Sequence, residues 1–186
     1  APVYYGLGVP RGDGSAVIVV PGFLATDLYL TEFYYWLRRM GYHSYMSKIG
    51  RNADCFDVLT DKLQKTVEKA YLETGRKVHL IGHSLGGMLS RAAANQHPAQ
   101  VASVITLGSP FRGISSHPVV LEAGQFVRQR IHFEKKRPEQ PNCNSGYCDC
   151  KGFKALASDF TPQVMQTAIY SKSDGIVDWH KCINAD

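Results

Sequence analysis

The run Gly82-His83-Ser84-Leu85-Gly86-Gly87 directly follows the apolar run Val78-His79-Leu80-Ile81, and it restricts the fold more than any other stretch of the chain. It fits G-x-S-x-G, in which a strand turns sharply into a helix and lifts a serine hydroxyl out of the turn. The spacing follows from geometry. The serine must take a strained backbone conformation for its hydroxyl to face open space. Gly82 and Gly86, lacking Cβ atoms, let strand and helix approach closely enough for that turn. A helix beginning at Leu85 aims its positive end at the site, where an acyl oxygen would become negative. The bare pattern is common, and its plain alternative is a glycine-rich strand-to-helix turn. Here the strand-like run before it and the helix-like run over 88–96 favour a nucleophilic Ser84.

The order of elements around this turn points to one architecture. Ala16-Val17-Ile18-Val19-Val20 is a β-branched run of the kind buried on both faces in a parallel sheet, and Pro21-Gly22 ends it. A helix is predicted over 29–40, a strand over 43–48, and a long amphipathic helix over 57–74 closed by Gly75. The strand before Ser84, the helix after it and a strand over 102–107 complete the alternation. Such alternation is the grammar of an α/β fold: a mostly parallel sheet with helices on both faces. Right-handed crossovers bring the functional loops to the carboxyl edge of such a sheet, and Ser84 stands at a strand's carboxyl end. From about 111 to 160 the rhythm breaks. That segment holds one predicted helix (119–130), a proline-rich stretch and a group of cysteines, and it reads as a cap or lid inserted over the sheet edge within a single domain spanning 1–186. A strand is predicted over 164–170.

Composition narrows the class of partner. A chain of 186 residues with 44% hydrophobic and 20% charged residues is sized for one domain with a full core. No apolar stretch approaches the ~20 residues needed to cross a bilayer. The net charge of +5 owes much to Arg128, Arg130, Lys135, Lys136 and Arg137, which read as a solvated face. No nucleic-acid recognition motif accompanies them. No signal peptide stands at the start, and both secreted and cytoplasmic locations stay open. The five cysteines settle no compartment. Cys143, Cys148 and Cys150 share a polar loop in which a disulfide, free thiols or, less readily, zinc are open readings; Cys55 with Cys182 is a further conceivable pair.

A nucleophilic serine needs a base, an orienting acid and oxyanion donors. Leu85 supplies the amide after the nucleophile, and Phe23, in the loop leaving the first strand, supplies a second. Together with Val19-Val20-Pro21-Gly22-Phe23, the pieces Glu73 to Val78, Gly82 to Gly87, Val104 to Pro110 and Ile169 to Val177 make the chain resemble the α/β-hydrolase family, and within it the small bacterial lipases and esterases. The blocks run in the family's order over nearly the whole chain. The resemblance implies that Asp174 is the triad acid and that the amides of Phe23 and Leu85 form the oxyanion hole. Asp174 also follows a strand, in the order Ser then acid that this fold uses; Asp178 is the competitor.

In that family the catalytic histidine follows one more strand, so it is expected beyond Asp186, together with the C-terminal strand and helix. His180 is the candidate base within the chain. His43, His79, His83, His97, His117 and His132 read as packed or surface residues. The function so implied is a serine carboxylic-ester hydrolase, a lipase or esterase, needing no metal or organic cofactor. Leu24 and Phe111, with Phe23 and Tyr29, are candidates to line an apolar acyl site for a lipid or other hydrophobic ester. The alternatives are a thioesterase or acyltransferase using the same apparatus, and a non-catalytic module of this fold that binds a ligand or partner without a triad histidine.

Overall fold

The computed structural model describes residues 2–112, 126–127, 129–131, 133–134 and 149–183. Among the described residues five strands form one sheet: β1 (Ala16–Val20), β2 (His43–Met46), β3 (Val78–His83), β4 (Val101–Leu107) and β5 (Met165–Ile169). Their spatial order is β2-β1-β3-β4-β5, and every neighbouring pair is parallel. The chain leaves β1 toward β2 on one side, then crosses to β3 on the other. That reversal puts a crevice at the carboxyl ends of β1 and β3, where open parallel sheets take their ligands. The α/β-hydrolase fold expected from the sequence is the observed one.

Both sheet faces are covered because β1 is apolar at every position. Val17 and Val19 pack with Leu37 of α1 (Thr31–Arg39), along with Phe33 and Trp36. Ala16, Ile18 and Val20 face the other way, into a core shared with α2 (Phe56–Thr74) and α3 (Leu85–Gln96). In α2 the buried Leu59, Leu63, Val67 and Ala70 recur at helical spacing and make one stripe. Each such aliphatic side chain withdrawn from water contributes about 1.5–3 kcal/mol.

The predicted elements are present with small shifts at their ends. The helix expected over 29–40 is a 3-10 turn (Asp27–Leu30) running into α1. One element has no counterpart in the sequence reading: α4 (Lys151–Ala157), which docks on α2 and α3 through Phe153 and Leu156. The helix expected over 119–130, most of the basic cluster, and Cys143 and Cys148 fall outside the described residues, apart from the helical positions between 126 and 134.

Candidate active site

Ser84 sits between β3 and α3 with φ 50° and ψ −122°, a left-handed backbone at a residue that carries a side chain. Its amide donates to the carbonyl of Leu107 at the end of β4 (2.8 Å), and its carbonyl accepts from the amides of Gly87 (3.0 Å) and Met88 (3.4 Å). The turn closes only because two neighbours lack side chains. A Cβ on Gly82 would collide with the backbone of Gly86 and Gly87. One on Gly86 would lie 2.5 Å from the Pro21 carbonyl oxygen. The elbow and the loop leaving β1 are therefore in backbone contact.

That loop carries Phe23. Its amide neighbours are engaged: Leu24 donates to the Asn52 carbonyl (2.8 Å) and Ala25 to the Gly22 carbonyl (3.2 Å). Asn52 is fully buried and grips the loop from both sides. Its side-chain amide donates to the Pro21 carbonyl at 2.7 Å, and its backbone amide to the Ala25 carbonyl at 2.9 Å. Further along, the Asp27 carboxylate accepts from the Lys48 amide (2.9 Å) and from the amide and hydroxyl of Ser47. The segment after β2 thus braces the segment after β1. The sequence reading missed Asn52 and Asp27. The available signal was only their position in polar loops following strands, at the edge where Ser84 stands.

Asp174 lies in the loop after β5, exposed, and its Oδ1 accepts from the amides of Ile176 (2.9 Å) and Val177 (3.1 Å). Its Oδ2 is directed toward Gly108, where a Cβ would meet it at 3.6 Å. Gly108 in turn donates to the Ile169 carbonyl (2.8 Å), so the exit of β4 touches both the elbow, through Leu107, and the Asp174 loop. Asp178 is instead the cap of a short 3-10 turn, Trp179–Lys181. The Nδ1 of His180 lies 2.8 Å from Asp178 Oδ1, and the hydrogen bonds from the His180 ring and amide hold the Asp178 carboxyl below its ordinary range. His180 is exposed and stacks on Trp179 at 3.8 Å between centroids. The structure thus gives His180 a carboxylate partner, and that partner is Asp178.

The other described histidines have structural surroundings. His79 bonds to the Ser103 hydroxyl (2.8 Å), His97 caps α3, and His43 stacks on Tyr45. The His83 ring points back at Gly22 and Tyr29. His117 and His132 lie outside the described residues. Leu24, Leu28 and Tyr29 are exposed beside the Phe23 loop. Phe111 is buried among Met88, Ala92 and Leu156, against Leu85 and under the Arg91 guanidinium. Among the described residues no cluster of three His, Cys, Asp or Glu side chains could hold a metal ion, and no helix is long and apolar enough to cross a membrane.

A parallel sheet, a strained serine at its carboxyl edge and an adjoining backbone loop define an α/β-hydrolase, the class that contains lipases and esterases. Residues 16–173 match the family described as palmitoyl protein thioesterase, and the chain belongs to that family. It is 36% identical over 106 residues to a triacylglycerol lipase of Pseudarthrobacter phenanthrenivorans, covering 52% of this chain and 33% of that protein. A triacylglycerol lipase of Burkholderia plantarii is also 36% identical over 106 residues, covering 52% of this chain and 30% of that protein. The chain thus spans about a third of these relatives' length. Among solved structures, the mature Bacillus licheniformis lipase BlEst2 has a TM-score of 0.59 at 18% identity, covering 94% of this chain and 81% of that one. The Paleococcus ferrophilus monoacylglycerol lipase has a TM-score of 0.56 at 14% identity, covering 92% and 79%. At these identities the likeness is one of fold.

Proposed function

We propose that this protein is a carboxylic-ester hydrolase working through an acyl-enzyme on Ser84. The observation that carries the reading is the left-handed Ser84 at the head of α3, packed against the loop of Phe23. Ser84 Oγ attacks the acyl carbonyl carbon while its proton passes to the base. The carbonyl oxygen, now negative, takes hydrogen bonds from the amides of Phe23 and Leu85. Collapse of the tetrahedral intermediate expels the alcohol, which receives the proton, and water then releases the acid by the same route. Leu85 stands in the first turn of α3, where amides have no intrahelical acceptor, which suits it to this work.

In this reading Asp174 is the acid where another histidine is the base. Within the chain, His180 is the candidate base, and its acid is then Asp178, which holds its Nδ1 and leaves Nε2 to accept a proton. The exposed Leu24 and Tyr29 face an apolar acyl group, and Phe111 backs Leu85 from the core. The triacylglycerol lipases support a lipid or other hydrophobic ester. The family match favours a second substrate form, an acyl thioester, which the same groups would cleave with a thiol as leaving group.

The test is turnover of a p-nitrophenyl ester and of a palmitoyl thioester by the wild type, Ser84→Ala and His180→Ala. Ser84→Ala should lose turnover by roughly 10⁴-fold or more. Turnover that survives it would remove Ser84 as the nucleophile, and a wild type that neither turns over nor reacts with a fluorophosphonate would favour the binding-module alternative. The substrate with the higher kcat/KM decides ester against thioester. Loss in His180→Ala makes that residue the base, and full activity transfers the role to another histidine.

A further inference from the structure

The N-termini of α2 and α4 meet, and a cysteine precedes each: Cys55 caps α2 and Cys150 caps α4. The junction is held from several directions. Asp57, in the first turn of α2, accepts from the amides of Gly152 (2.6 Å) and Lys151 (3.2 Å). Phe56 and Phe153 meet edge to face at 5.9 Å, and a Cβ on Gly152 would lie 2.9 Å from both Phe56 and Thr60. These contacts bring the two thiols within hydrogen-bonding reach of each other. The Cys150 hydrogen bond, with the backbone amides of Asp57 and Val58, lowers the Cys55 thiol to about 6 against the opposing effects of burial and the Asp57 charge. Such a thiol is largely thiolate at neutral pH. Cys182 differs: its thiol reaches the Asp178 carbonyl at 3.9 Å, and burial pushes it up.

We propose that Cys55 and Cys150 form a reversible dithiol–disulfide pair in which Cys55 is the attacking thiolate. With a small disulfide such as oxidised glutathione, Cys55 attacks one sulfur, the S–S bond breaks, and one glutathione thiolate leaves. Cys150, its proton passing to solvent, then attacks the Cys55 sulfur of the mixed disulfide and expels the second glutathione. Two protein thiols are oxidised and one glutathione disulfide is reduced to two thiols. The bond would fasten the start of α4 to the loop that contains Asn52, three residues before Cys55.

The experiment equilibrates the whole chain in glutathione buffers of increasing oxidised fraction, quenches with acid, alkylates and maps peptides by mass. A peptide joining Cys55 to Cys150 should grow with the oxidised fraction, disappear with dithiothreitol, and lower the protein mass by that of two hydrogens. Cys150→Ser should stall with glutathione on Cys55. With iodoacetamide at pH 7, Cys55 should react at least about tenfold faster than Cys182. Recovery of alkylated Cys55 at every poise would overturn the proposal, as would Cys150 joined to Cys143, Cys148 or Cys182.

Discussion

Among the described residues, three with side chains hold a positive φ: Leu24 (62°), Lys48 (60°) and Ser84 (50°). They follow β1, β2 and β3 in turn, so the strain lies along one edge of the sheet. Each such backbone costs on the order of 1–3 kcal/mol and persists only when its surroundings over-determine it. For Ser84 the surroundings are its hydrogen bonds to Leu107, Gly87 and Met88. For Leu24 they are the hydrogen bonds of Asn52. Replacing Asn52 with alanine removes the donor to Pro21 and frees the loop that presents Phe23. On the proposed mechanism, kcat for ester hydrolysis should fall by roughly ten- to a hundredfold with KM little changed. Steady-state kinetics alongside circular dichroism check this; an unchanged kcat would remove Asn52 from the supporting framework.

Among the elements, α4 depends most on a partner. Its sequence Lys-Gly-Phe-Lys-Ala-Leu-Ala is short and contains Gly152, which disfavours a helix, so no local signal announces it. The groups that start it come from Asp57, far away in the chain. Asp57→Ala should therefore destabilise the protein by about 1–3 kcal/mol, read from urea unfolding, because it strips a charged acceptor from two helix-starting amides, that of Gly152 part-buried. The contrast with β1 explains what could be read in advance. Ala16–Val20 and the run from Val78 announce themselves because burial on both faces demands β-branched and apolar residues in sequence. Gly82 and Gly86 are legible for a similar reason, since the backbone contact they permit leaves a mark in composition. Asn52 and the Cys55–Cys150 contact leave none: each is a meeting of distant segments in three dimensions. His180 differs, since its Asp178 partner stands only two residues away, as the cap of the same short 3-10 turn.

For the molecule as a whole, His79 couples stability to pH. Burial in β3 lowers its folded pKa below the ordinary 6.5, so the unfolded chain binds the proton more readily. The stabilisation is present above the unfolded value and is lost as pH falls through the folded one. The urea midpoint should drop between pH 7 and pH 5, and His79→Gln should drop less over that interval; equal drops would assign the dependence to other groups. The all-parallel pairing has a further effect, on time. Val17 lies beside His79, and Ala168 beside Thr106, so each rung joins parts of the chain far apart in sequence. Closing such loops is slow, whereas α2 needs only its own residues to begin winding. Ser84 stands where β1 and β3 come together. On the proposed mechanism, the reactivity of Ser84 would depend on that seam having shut.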